Sequence, residues 1–247
     1  MRRTLAALLL ALPFAALAAP KVTHIDPPRR VLFVGNSFSY YNDSLHGHLR
    51  QLVLASDSAH AKDYLFKSMT ISGAYLVEHS GGLPYALASR HWDLVVLQGQ
   101  STEPMASDPK KSERFRETAR GFEGLIRASG AKTAFFMTWA YQGKPEMTPL
   151  LAQGYESIGN ELDDLVVPVG LAFQRSLEKR PSLVLHFKDH MHPSPAGTYL
   201  AACTFFAALY GASPVGNPYV ADLDPEVARY LQGIAWDTVQ AYYGAAR

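Results

Sequence analysis

Apolar and polar positions along this chain fall into two alternating periods. Short runs rich in β-branched and aromatic residues predict buried strands at Arg30 to Val34, Tyr64 to Thr70, Leu94 to Gln98, Thr133 to Thr138 and Leu165 to Val169. Leu183 to His186 predicts a sixth, short extended piece. Between these runs the spacing predicts helices over Leu45 to Ala55, Gly82 to Ser89, Ser112 to Ala128, Leu150 to Asp163 and Gly170 to Lys179. Phe115, Phe122, Leu125 and Ile126 recur at near-helical intervals, the mark of an amphipathic helix packed on a sheet. Pro195 to Leu209 predicts a closing helix, with proline in its first turn and Gly211 past its end. A last helix is expected within Asp222 to Arg247, after Asp224-Pro225, with Val227, Leu231, Ile234, Ala235 and Val239 on one face. Strand alternating with helix is the pattern of βαβ units, so the expected class is α/β with a mainly parallel sheet covered on both faces. The strand ends then aim their loops at one rim.

The first residues break the pattern. Met1-Arg2-Arg3 is basic, Leu5 to Ala16 is apolar but too short to span a bilayer, and Ala16-Leu17-Ala18 offers an A-x-A cleavage site. Residues 1–18 therefore read as a secretory signal peptide, and the expected location is periplasmic or secreted, with no stable membrane span after cleavage. Roughly 230 residues remain, enough for one α/β domain spanning 19–247. The net charge of +1 and the lack of a long Lys/Arg cluster argue against nucleic acid as a partner. The single cysteine, Cys203, lies in an apolar run and reads as a small core residue. The oligomeric state expected is monomer or homodimer, the last helix being a possible dimer face.

Two short motifs carry chemistry. Gly35-Asn36-Ser37-Phe38-Ser39 follows the first strand and puts Ser37 at a strand-to-helix turn, the carboxyl edge where open α/β sheets build their sites. Asp189-His190-Met191-His192 lies before the closing helix. Ser37 as nucleophile, His192 as general base and Asp189 as the carboxylate that orients the imidazole would form a catalytic triad. Three-residue spacing lets one helical turn or tight loop present Asp189 and His192 on the same side. Each residue also has a plain structural reading: serine or aspartate as a helix cap, histidine as a surface or satisfied core residue. A metal site is the chemical competitor, because His186, Asp189, His190 and His192 fall in one stretch, with His46 and His48 as further donors. The triad needs no cofactor and no metal.

These blocks resemble the SGNH (GDSL-type) hydrolases. Gly35-Asn36-Ser37-Phe38-Ser39 looks like the first block, with Asn where Asp is usual; Ser72-Gly73-Ala74-Tyr75-Leu76 looks like the second; Asp189-His190-Met191-His192 is similar to the fifth. Gly35 to Asp43, Leu76 to His79 and Val95 to Ser101 further resemble a bacterial subfamily of largely uncharacterised function. The resemblance implies a three-layer α/β/α sandwich on a flavodoxin-like five-stranded sheet. It also implies an oxyanion hole from the N–H groups of Ser37 and Gly73 and a side chain of the third block. That block is usually Gly-x-Asn-Asp, whereas this chain has Gln98-Gly99-Gln100-Ser101. Gln100 is the favoured donor, with Gln98 close behind, and Ser101 aligns with the asparagine if Gly99 matches the block's glycine.

The activity implied is hydrolysis of a carboxylic ester, acetyl or short-chain, on a small molecule or a saccharide. An O-acyltransferase or a non-catalytic glycan-binding or envelope-assembly protein on the same fold are the alternatives. Phe38, Tyr40, Tyr41, Tyr75, Trp139 and Tyr141 fall near strand ends where rings can stack on sugars or acyl chains. Tyr40-Tyr41-Asn42, directly after the nucleophile, is the segment expected to touch substrate.

Overall fold

A computed structural model of the chain describes residues 19–244. The predicted signal peptide and the last three residues lie outside the described residues. Five parallel strands, β1 (Arg30–Gly35), β2 (Leu65–Thr70), β3 (Leu94–Leu97), β4 (Lys132–Phe136) and β5 (Leu165–Val167), form one sheet in the order β2-β1-β3-β4-β5. β1 and β3 are buried on both sides because helices cover both faces, hence their unbroken apolar runs. Helices α3 (Leu83–Ser89), α4 (Pro109–Ala128) and α5 (Met147–Leu162) pack along one face. On the other lie α2 (Leu45–Ser56), α6 (Val169–Lys179), α7 (Pro195–Tyr210) and α8 (Pro225–Gly244). The chain is thus a three-layer α/β sandwich with a flavodoxin-like strand order. β1 is where that order reverses, the place at which open α/β sheets leave a crevice at their carboxyl edge.

Helix ends follow capping chemistry. Ser194 Oγ accepts the Gly197 N–H at 3.1 Å and Pro195 opens α7, which closes on Gly211 in the left-handed conformation. α7 is apolar all round and almost wholly buried, since it packs against the sheet with α2 and α6 beside it and α8 against it. Asp224 Oδ1 caps α8 through the Glu226 and Val227 N–H groups.

Several expected boundaries move. α4 begins at Pro109 rather than Ser112, because Asp108 accepts the Lys111 N–H and Pro109 suits the first helical position. Leu125, expected in the core face of α4, is 44% exposed, while Phe115, Phe122 and Ile126 are buried. β3 stops at Leu97, β4 at Phe136 and β5 at Val167, so Gln98, Thr138 and Val169 fall outside the strands. Leu183 to His186 forms no sixth strand; among the described residues its pairing is an isolated antiparallel bridge of His186 with Pro193.

Candidate active site

Ser37 stands at the first position of α1 (Ser37–Tyr40), a single turn directly after β1. Asn36 caps it: Oδ1 accepts the Phe38 N–H at 3.2 Å, and Nδ2 donates to the Ala74 carbonyl at 3.0 Å, binding the nucleophile turn to the loop after β2. Beneath that turn lies Gln98, 1% exposed. Its Oε1 accepts from Asn36 N–H at 3.1 Å and Ser39 Oγ at 2.8 Å; its Nε2 donates to Asn36 Oδ1 at 2.7 Å and to Gly99 O at 2.8 Å. Gly35 must be glycine here, because a Cβ would collide with the Gln98 amide.

The segment that carries His192 reaches Ser37 from the other side of the rim. His192 Nδ1–H donates to Asp189 Oδ2 at 2.6 Å, which leaves Nε2 to accept the Ser37 hydroxyl at 2.7 Å. Asp189 Oδ1 accepts the Met191 and His192 N–H groups, both at 3.0 Å, so the loop folds around its own carboxylate. His190, at φ 66°, takes the left-handed conformation that this tight loop requires. Burial pushes the Asp189 carboxyl up, but the hydrogen bonds from Met191, the His192 ring and the His192 N–H outweigh it and hold the pKa at about 2. It stays charged at any ordinary pH.

The surroundings fix the imidazole in place. The Tyr41 ring lies flat on it, centroids 4.2 Å apart and planes within 6°, and the Phe38 ring meets its edge. Phe38, Trp139 and Phe173 stack in a column at 4.5 and 4.4 Å, and Trp139 Nε1 donates to Met191 O at 3.0 Å, holding the base loop from below. Trp139 is fully buried and has no face for a sugar.

The structure brings Ser37, His192 and Asp189 into one relay and sets Gly73 at the neighbouring loop. Gly73 has φ +67°, with open space where a side chain would be. Among the described residues the Ser37 and Gly73 N–H groups have no hydrogen-bond acceptor. Gln98 is a correction: both its amide hydrogens are spent inside the fold, so it is a brace under the Ser37 turn with none left to donate to an oxyanion. Gln100 Nε2 donates to Ser101 Oγ at 2.9 Å and its Oε1 accepts from Thr102 N–H and Oγ1, which holds its side chain against its own turn and leaves one amide hydrogen. Ser101 Oγ pairs with Tyr141 OH at 2.6 Å.

Asn42 is a second correction. Its Nδ2 donates to Pro193 O at 3.0 Å and Thr198 Oγ1 at 2.8 Å, and its carbonyl accepts His48 Nε2–H at 2.6 Å, so it ties the nucleophile segment to the base segment instead of facing substrate. Tyr40 OH donates to Ser72 Oγ at 3.0 Å. The clustered histidines diverge: His186 Nε2–H goes to Ala140 O and His190 Nδ1–H to Gln142 Oε1. Among the described residues no group of three His, Cys, Asp or Glu side chains is placed to hold a metal ion. Sequence reasoning missed two groups near the site, the Tyr41 ring as the bed of the base and the buried carboxylate of Glu103. A Glu three residues after Gln100 was visible, but its burial was not.

Strand order, a Ser37 turn at the order reversal and a His192 loop directly before α7 define an SGNH-hydrolase-like fold. The chain is similar to a protein from Slackia heliotrinireducens described as a candidate SGNH hydrolase, at 26% identity and TM-score 0.58 over 73% of this chain and 98% of that one. A DUF4886 family protein from Bacteroides uniformis is similar at 20% identity and TM-score 0.65, covering 86% of this chain and 95% of that one. An acetylxylan esterase from Geobacillus stearothermophilus is similar in fold, at 16% identity and TM-score 0.59 over 75% and 95% of the two chains. No protein-family model and no curated protein sequence matches the chain.

Proposed function

We propose that this protein is an exported serine esterase that hydrolyses an acetyl or short-chain carboxylic ester, with an acetylated saccharide as the favoured substrate class. The observation that supports it is the continuous relay from Ser37 Oγ through His192 to Asp189 Oδ2, with links of 2.7 and 2.6 Å. Ser37 Oγ attacks the carbonyl carbon while its proton passes to His192 Nε2. Asp189, charged and hydrogen-bonded to Nδ1–H, holds the imidazole in the tautomer that can accept that proton and stabilises the imidazolium. The Ser37 and Gly73 N–H groups, with the Gln100 amide, receive the oxyanion. His192 gives the proton to the departing alcohol, leaving acyl-Ser37; it then takes a proton from the water that attacks the acyl carbon and passes it to Ser37 Oγ as the acid leaves. No step calls for a cofactor. The acetylxylan specificity of a neighbour with this fold supports the saccharide preference.

The test is hydrolysis of p-nitrophenyl acetate and butyrate by the mature chain beside Ser37→Ala, His192→Ala and Asp189→Asn, with and without EDTA. The expected result is EDTA-insensitive activity that falls by on the order of 10⁴-fold or more in each variant, with the thermal midpoint little changed. Activity absent in the parent, or untouched by Ser37→Ala, refutes the reading.

A further inference from the structure

We infer that Glu103 is a positioning residue whose carboxylate spaces the two loops that carry the Gly73 and Gln100 oxyanion donors; the inference rests on the esterase reading above. Glu103 is 0% exposed, an unusual place for a carboxylate that touches neither nucleophile nor base. One oxygen, Oε2, accepts two backbone N–H groups from different segments: Leu76 at 3.1 Å, three residues after Gly73, and Gln100 at 3.0 Å. The Glu103 N–H in turn donates to Gln100 O at 2.8 Å, closing the turn that presents Gln100. A single oxygen atom is therefore the common vertex of the second and third blocks.

The environment is built to keep that oxygen where it is. A Cβ on Gly99 would stand 3.3 Å from Glu103 Oε2 and 3.0 Å from the Phe115 ring, so glycine lets the carboxylate come this close. The other oxygen, Oε1, has no hydrogen-bond partner among the described residues and lies 3.7 Å from Arg114 Nε. The Arg114 guanidinium lies 4.0 Å from the centroid of the Tyr75 ring, in the second-block loop, so α4 supplies a counter-charge that also rests on the braced loop. Burial pushes the Glu103 carboxyl up, and the two backbone hydrogen bonds and Arg114 oppose it. From the far side Asn36 Nδ2 holds the Ala74 carbonyl. Residues 73–76 are thus set between the nucleophile turn and Glu103.

A group that sets donor spacing acts on the oxyanion and barely on the resting ester, so its loss should lower kcat and leave KM. Misplacing a catalytic group by about 1 Å can cost 10²-fold. Length should matter more than charge: glutamine keeps an acceptor at the same reach, whereas aspartate keeps the charge and cannot span both N–H groups. The experiment compares Glu103→Gln and Glu103→Asp with the parent by p-nitrophenyl acetate kinetics and by amide hydrogen exchange at Leu76 and Gln100. Expected are a Glu103→Gln variant within about 5-fold of the parent, and a Glu103→Asp variant with kcat down at least ~10-fold, KM within about two-fold and faster exchange at both amides. Unchanged exchange at those amides, an intact kcat in Glu103→Asp, or a change confined to KM overturns the inference. Exchange is read without substrate, so a parent that hydrolyses no ester sinks the esterase reading while the brace is still decided.

Discussion

Gln98→Leu separates a structural amide from a catalytic one. Leucine is close in volume to glutamine and suits a site that is 1% exposed, so the perturbation is loss of four hydrogen bonds rather than loss of packing. Two of the four partners recover: Asn36 Oδ1 still accepts the Phe38 N–H, and the Ser39 hydroxyl can rotate. The Asn36 N–H and the Gly99 carbonyl do not. An orphaned buried polar group costs about 1–3 kcal/mol, so two give a destabilisation of about 4 kcal/mol. For a domain of this size that lowers the thermal midpoint by roughly 8–16 °C. The assay is denaturant unfolding followed by circular dichroism, paired with ester hydrolysis well below the midpoint. A stability loss under about 1 kcal/mol together with a 10²-fold fall in kcat would mean that the Gln98 amide serves the oxyanion, and would refute its assignment as a brace.

Two other expectations follow from the same geometry. Tyr41→Leu removes the ring that lies on His192 and should lower kcat/KM by about 10-fold, since the imidazole loses the flat face that fixes its orientation toward Ser37; an unchanged kcat/KM would count against the stack having any part in the reaction. Glu156, 2% exposed on α5, has its carboxyl raised by burial to about 7. Between the unfolded carboxyl's pKa near 4.5 and about 7, the unfolded chain releases a proton that the folded chain keeps, so stability falls as pH rises through that window and levels off above it. The 2.5-unit difference amounts to about 3 kcal/mol, so Glu156→Gln should be more stable than the parent at pH 8 by up to that amount and flatter with pH; parallel stability curves for the two proteins would refute it.

What could be read from the chain and what could not divide along a physical line. Strand cores and the order of elements were legible because β1 and β3 are covered on both faces and leave unbroken apolar runs. Helix starts were missed where a cap, not periodicity, sets the boundary. Asp108-Pro109 was a readable start signal for α4; α5 begins at Met147 without a side-chain cap and accommodates Pro149 in its first turn. The one-turn α1 is too short to have a period at all. For the site, the two motifs and their resemblance to known blocks singled out Ser37, Asp189 and His192 as candidates, and the structure brings these three together through one tight loop and one turn.

Gln98 and Gln100 could not be told apart by such means. Both are amides just past the end of β3, two residues apart and so of the same strand parity, and what separates them is where the strand stops. Gln98, directly after the last strand residue, points under β1 into a pocket that Gly35 leaves open, while Gln100, two residues on, has already entered a turn. Asn42 misled for the same reason: adjacency to the nucleophile suggested substrate contact, but the left-handed run Asn42 to Ser44 swings its amide back toward Thr198. Glu103 was harder still, because its role depends on two backbone N–H groups that are 27 and 3 residues away in sequence. A side chain that works by accepting from main chain leaves no partner residue type to search for. Gln98, Asn42 and Glu103 beneath the candidate site are such polar side chains gripping backbone, which is why Ser37, Asp189 and His192 could be singled out from the sequence and the side chains that hold their loops could not.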